Sequence, residues 1–297
     1  MKIKIILLIG VLFMSMACEQ YDEYLVDYKF SAVYFASQKP LRTIVSYDQM
    51  EFKVGVALGG KRSNDTNEYA DFEIDPSLLD DDELVEGNSF ELMPSEYYSF
   101  SNDSKMEISK GDFIGDITVT LNKNVFTADD LSKENTYAIP LRITSTSTDS
   151  ILEGKNYTIL VVKYISQYDG TYYHKGTQTE VDENDVVIEE TVYSTKNLID
   201  NEKWDVSTVG ATSISTPGAG TFGNGNLILN VNESDNTVAI TSGNGNVVIT
   251  EQSGTYNNEK REFYIDYNFT RSSKMYKVSD TLVLRQAPEK DLYFEEW

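Results

Sequence analysis

The chain has 297 residues, with 25 Lys and Arg against 48 Asp and Glu, one His and one Cys. A formal charge of −23 repels polyanions, so nucleic acid and anionic lipid head groups are excluded as partners held by phosphate neutralisation. A lone imidazole excludes zinc centres built on several histidines, and the length exceeds what one hydrophobic core usually serves, so two domains are expected.

Lys2 and Lys4 precede an apolar run from Ile5 to Phe13 that is too short to cross a bilayer, and Ser15, Met16 and Ala17 form a small-residue zone before Cys18. This order reads as a secretory leader over residues 1–17, with Cys18 as the thiol that receives a diacylglycerol. Ser15 stands where Leu is usual, a departure that resembles the relaxed lipidation signals of Bacteroidetes. Glu19, Asp22, Glu23 and Asp27 make residues 18–29 an acidic tether. The expectation is an outer-membrane lipoprotein facing the cell exterior, touching the membrane only through the lipid on Cys18. With that thiol used, cysteine-dependent catalysis lacks its residue and no disulfide can form. Stability must then come from buried apolar area, to which 20 Tyr and 13 Phe contribute much.

From residue 30 onward, short alternating apolar stretches are cut by Gly, Asn, Asp and Ser every ten residues or so, a strand pattern. Ala32 to Phe35, Glu51 to Leu58, Ile114 to Leu121, Tyr137 to Ile143 and Tyr157 to Tyr164 are examples. A helix is expected after Asp75, with Pro76 at its first position, Leu78, Leu79, Leu84 and Val85 on one face, and Gly87-Asn88 as its stop. The acidic run Asp80 to Glu83 lacks calcium-loop spacing and reads as a solvated face.

The texture changes at residues 165–167, and a second strand-rich block covers residues 166–297. Within it Gly223-Asn224-Gly225-Asn226-Leu227 is echoed by Gly243-Asn244-Gly245-Asn246-Val247, each a turn launching a strand, with Glu233 to Asn236 as a hairpin turn between them. Strands follow at Glu262 to Thr270 and Thr281 to Arg285, and Leu292, Tyr293, Phe294 and Trp297 are expected to close this second domain.

Tyr34-Phe35 with Gln38 and Arg42-Thr43, then Val56-Ala57-Leu58-Gly59-Gly60, Asp75-Pro76-Ser77-Leu78-Leu79, Met93-Pro94-Ser95-Glu96-Tyr97-Tyr98, Ile139-Pro140-Leu141-Arg142-Ile143 and Asp149 to Lys155 resemble the N-terminal domain of a group of Bacteroidetes surface lipoproteins of unknown function. Val162 to Ile165, Gly170-Thr171-Tyr172, Ile265-Asp266-Tyr267 and Asp280 to Arg285 resemble the C-terminal domain that commonly follows it. The resemblance implies an all-β chain: an immunoglobulin-like sandwich over residues 30–164, then an antiparallel barrel-like or sandwich domain over residues 166–297. It also implies a setting beside outer-membrane glycan-uptake systems, and it carries no catalytic residues.

His174 lies in a Tyr-rich strand without a nucleophile-elbow glycine pattern and reads as a surface or barrel-rim residue. The glycines of residues 218–225 lack the Lys-Ser/Thr ending of a phosphate loop, and no cofactor is expected. Paired carboxylates for glycoside hydrolysis cannot be located by spacing, and small β-modules leave little room for a deep cleft. Sugar binding asks only for an aromatic platform flanked by amides and carboxylates. Trp204 in its polar stretch leads the candidates, followed by Tyr172, Tyr173, Tyr256 and Trp297, which places the site in the second domain. The expected function is a non-catalytic accessory subunit that binds a glycan or proteins of an uptake complex, with adhesion, a structural spacer and, last, a glycosidase as alternatives.

Overall fold

The computed structural model describes residues 30–297; the leader, Cys18 and the acidic tether lie outside the described residues. The chain is all-β. In chain order the first strands are β1 (Ala32–Phe35), β2 (Pro40–Val45), β3 (Glu51–Gly59), β4 (Glu68–Ile74), β5 (Glu91–Leu92), β6 (Tyr98–Phe100), β7 (Lys105–Ile108), β8 (Ile114–Leu121), β9 (Tyr137–Thr146), β10 (Ser150–Ile151) and β11 (Tyr157–Ile165). They form two facing sheets, one ordered β10-β1-β3-β8-β6 and the other β2-β11-β9-β4-β7, with β5 beside β9. Period-two burial explains the layering. In β3, Val54, Val56 and Leu58 point inward between exposed or half-buried neighbours, and in β8 Ile117, Val119 and Leu121 do the same. These residues and Phe35 of the same sheet meet Phe72, Met106, Leu141, Val162 and Tyr164 from across the sandwich in one core.

The expected helix after Asp75 is instead two separate turns, a 3₁₀ turn at Pro76–Leu79 and a single α-turn at Asp82–Val85. The Asp75 side chain caps the first by accepting from the Ser77 N–H, and the Asp81 side chain caps the second by accepting from the Glu83 and Leu84 N–H groups. A second good N-cap inside the segment restarts the helix rather than continuing it. Leu78 and Val85 still bury, against Leu41, Ala138, Ile159 and Val161 on the outer side of the second sheet.

The remaining strands are β12 (Gly170–Val181), β13 (Val187–Val192), β14 (Glu202–Gly210), β15 (Ser213–Ser215), β16 (Leu227–Val231), β17 (Val238–Ser242), β18 (Val248–Asn257), β19 (Glu262–Arg271), β20 (Lys274–Leu284) and β21 (Glu295–Glu296). Eight of them follow one another as β17-β16-β15-β14-β12-β20-β19-β18, a nearly closed antiparallel barrel. The seam between β17 and β18 holds through one backbone bridge, Thr237 to Thr255, and through the Gln252 side-chain oxygen, which accepts from the Ile240 N–H at 3.2 Å. The Gly-Asn echo acts where the sheet turns. Asn244 and Asn246 both donate to the Asn224 carbonyl, at 3.0 and 2.9 Å, so the two echoed loops fasten to each other.

The barrel is filled rather than hollow. Phe263, Ile265, Tyr267 and Phe269 alternate inward along β19 and pack with Tyr172, Trp204, Val206, Leu229, Ile240 and Leu282. The loop between β15 and β16 folds over this core: Ala219 is fully buried, the Gly220 N–H donates to the Tyr267 hydroxyl at 2.7 Å, and the Thr221 N–H donates to Gln178. Gly220 sits at φ +53°, and a Cβ there would stand 2.2 Å from Gln178 Oε1, so any larger residue would be strained and would displace the Gln178 amide.

His174 is fully buried, not a rim residue. Its ring stacks on Trp204 at a centroid distance of 3.5 Å, and its Nε2 lies 3.0 Å from Asp280 Oδ1. Asp280 also accepts from the Tyr267 hydroxyl at 2.8 Å and from the Tyr193 hydroxyl. The register places Gly176 opposite Asp280, which gives this side chain its room. A carboxylate surrounded by donors can be buried where an unpartnered one cannot.

The chain end does not close the second domain. β21 pairs with β2, and Trp297 returns to the sandwich, where its indole N–H donates to the Ile159 carbonyl at 2.7 Å and its ring meets Phe90 edge-on at 4.7 Å. Tyr293 and Phe294 remain exposed.

Candidate functional site

The two halves meet through a short, tightly bonded junction. Ser46 at the end of β2 and Ser166 after β11 both donate their hydroxyls to the Ala211 carbonyl of the β14–β15 turn, at 3.2 and 2.8 Å. Asp169 accepts from the Thr208 N–H at 2.6 Å and from its hydroxyl at 2.5 Å. Burial raises the Asp169 carboxyl above its usual range, and the Thr208 bonds offset part of that effect.

This junction frames a cleft of about 620 Å³ lined by Tyr47, Asp48, Gln49, Gln167, Tyr168, Glu233, Asn236 and Asn258. Tyr47, Asp48 and Gln49 follow β2. Glu233 and Asn236 come from the β16–β17 hairpin, whose shape is set by Asn232 and Asp235 accepting from the Ser234 and Thr237 N–H groups and by Asn236 in the left-handed region. Asn258 comes from the β18–β19 turn and donates to Asn236 Oδ1 at 2.7 Å.

Polar groups span the cleft. The Tyr47 hydroxyl donates to Glu289 at 2.7 Å and accepts from Arg261 Nη2 at 3.0 Å. Burial and the Glu289 acceptor push this phenol up, so it stays a neutral donor. Lys123 Nζ stands 3.6 Å from both Asp48 and Glu233, and Gln167 donates to Glu233 at 2.9 Å. The floor is Tyr168, which is buried and packs edge-on against Tyr256 at 4.8 Å, so it closes the cleft without offering an open ring face. Four planar amides, two carboxylates and a hydroxyl thus converge where two domains meet, a common place for a ligand site. Their chemistry fits vicinal hydroxyls, since amides and carboxylates can accept or donate in pairs.

The sequence candidates fall elsewhere. Trp204 and Tyr172 are buried in the barrel, Trp204 against His174 and Tyr172 with its hydroxyl on the Tyr168 carbonyl at 2.7 Å, so neither offers an open ring face. Tyr256 is buried too, but directly behind the cleft floor. Tyr173 is half-buried on the outer barrel face, in register with Lys203 and Val283, and Trp297 lies on the sandwich. The structure therefore brings none of the five into one site. The cleft residues carried no spacing signal, because positions 47, 167, 233 and 258 meet only through the domain junction. The cleft draws on both domains. Among the described residues no group of three or more His, Cys, Asp or Glu could hold a metal ion.

No curated protein matches the chain. A structure of a Bacteroides ovatus protein of unknown function is 24% identical, covers 91% of this chain and 99% of its own, and superposes with a TM-score of 0.75. A Bacteroides ovatus multidomain protein including DUF1735 is 13% identical over 89% of this chain and 99% of its own, with a TM-score of 0.44. A second Bacteroides ovatus protein of unknown function is 15% identical over 91% of this chain and 100% of its own, again at 0.44. Residues 27–150 match a family model described as "-like, N-terminal domain". The first domain of this chain is thus similar to that N-terminal-domain family.

Proposed function

We propose that the protein is a non-catalytic glycan-binding lipoprotein, and that the interdomain cleft takes the sugar. The observation that carries this reading is the convergence of Tyr47, Gln49, Gln167, Asn236 and Asn258 with Asp48 and Glu233 around one opening. A binding role is favoured over glycoside hydrolysis by the placement of the two acids. The general acid of a glycosidase sits in apolar surroundings, whereas the Asp48 side chain is fully exposed and both acids share the Lys123 ammonium. The leader and Cys18 support tethering to the outer membrane with both domains outward, as an accessory subunit of a polysaccharide-uptake system. The test is a glycan-array screen of the chain with Tyr47→Ala and Asn258→Ala variants. Each should weaken binding of any retained glycan by about fivefold or more, and unchanged binding in both would remove the cleft from the reading. Cys18→Ala should release the protein into soluble fractions, and persistent membrane attachment of that variant would count against the anchor.

A further inference from the structure

A second pocket, of about 280 Å³, lies in the first domain, and its walls include Phe35, Pro40, Arg42, Lys53, Thr158 and Phe294. It shares no residue with the cleft. Its placement follows from the returning chain end. β21 pairs Glu296 with Pro40 and Glu295 with Leu41, which carries Phe294 to the side of Arg42. There the guanidinium stands 5.4 Å from the ring centroid, with 64% of Phe294 still exposed.

Among the described residues Arg42 makes no ion pair, and its one hydrogen bond is from Nη1 to the Leu41 carbonyl at 3.4 Å. The other charges at the pocket are engaged: Lys53 with Asp116 at 3.0 Å, and Glu296 as acceptor from the Ser37 hydroxyl at 2.9 Å. A second observation points to a missing partner. Thr158, on the pocket wall, is 1% exposed, and its hydroxyl has no hydrogen-bond partner. Buried hydroxyls are almost always paired, so an orphan beside a cavity marks a place where a polar group belongs.

We propose that this pocket binds the anionic group of an acidic sugar, a carboxylate or a sulfate, held by the Arg42 fork while the sugar ring lies against Phe294. The guanidinium is suited to either oxyanion because its paired N–H groups match two oxygens at once. Burial lowers the Arg42 pKa, and an incoming anion reverses that penalty. The volume is near the lower end for a small-ligand pocket, enough for one residue of a chain rather than an oligosaccharide. Glu296 at the rim limits affinity for anions, so it sets a sign that a test can read. The site is independent of the cleft and stands or falls separately from it.

The experiment is calorimetric titration of the whole protein with methyl glucuronide, a 6-sulfated N-acetylglucosamine and the neutral methyl glucoside. At least one charged sugar should bind about tenfold or more tightly than the neutral one, and the two charged arms separate carboxylate from sulfate. Arg42→Gln should bring charged and neutral ligands together, Arg42→Lys should recover only part of the preference, and Glu296→Gln should tighten the charged ligand. Phe294 is exposed, so Phe294→Ala leaves the fold intact and should weaken the preferred sugar several-fold. Equal binding of charged and neutral sugars, an Arg42→Gln protein that keeps the preference, or tighter binding of an acetylated dipeptide through its terminal carboxylate would each overturn the proposal.

Discussion

Replacing Asp280 with Ala tests whether the polar cluster inside the barrel is held by that one carboxylate. Asp280 is 2% exposed and accepts from His174 Nε2 at 3.0 Å, from the Tyr267 hydroxyl at 2.8 Å and from Tyr193. Alanine would leave the fully buried His174 and the buried Tyr267 each without this acceptor, although Tyr267 keeps the bond it receives from the Gly220 N–H. An orphaned buried donor costs about 1–3 kcal/mol, so two imply a loss of about 2–6 kcal/mol, a large part of an ordinary domain's stability. Asp280→Asn keeps one acceptor oxygen of similar shape and should lose about half as much. The two tryptophans make the assay specific, since Trp204 stacks on His174 in the barrel and Trp297 lies on the sandwich. In a Trp297→Phe background, urea unfolding followed by Trp204 fluorescence reports the barrel. A loss below about 1 kcal/mol for Asp280→Ala, or an equal loss for Asn and Ala, would refute the reasoning.

Gly220→Ala should destabilise the same barrel by about 1–3 kcal/mol, because its added Cβ meets Gln178 and its φ is left-handed; a change within error would place the β15–β16 loop outside the cooperative core. Trp297→Ala removes a ring packed on Phe90 and a bond to the Ile159 carbonyl, and should cost the sandwich about 2–3 kcal/mol while opening residues 291–297 to carboxypeptidase; resistance equal to wild type would contradict the docking. Glu68 gives a pH prediction. Hydrogen bonds from Lys61, then from Ser147 and Thr66, hold its carboxyl down at about 2. A depressed folded pKa contributes stability that is fully present above the unfolded value of about 4.5 and lost as pH falls toward 2. Glu68→Gln should therefore cost on the order of 1 kcal/mol at pH 7, with the deficit vanishing between pH 5 and pH 2 in thermal scans; a pH-independent deficit would show that packing, not charge, is responsible.

Local patterns were enough to read the all-β class from the sequence. Period-two burial in β3, β8 and β19 is a property of consecutive side chains, and the Gly-Asn turns at positions 223 and 243 each act within a few residues, so neighbours alone carry that information. Even locally the reading failed where two signals competed, as when Asp81 offered a second cap and split the helix expected after Asp75. That aromatics bury was legible, but which of them stay open was not, because Trp204 in a polar stretch looks like a surface platform until the barrel closes over it and sets His174 on its face. The charge of the chain, the lone histidine and the apolar run that precedes Cys18 are fixed by composition and order alone. What only the tertiary structure decided is which distant groups meet. Tyr47 reaches Arg261 and Glu289, Lys123 reaches Glu233, and Phe294 reaches Arg42 across 252 positions, because sheet pairing and domain docking, not sequence separation, determine which side chains share a surface.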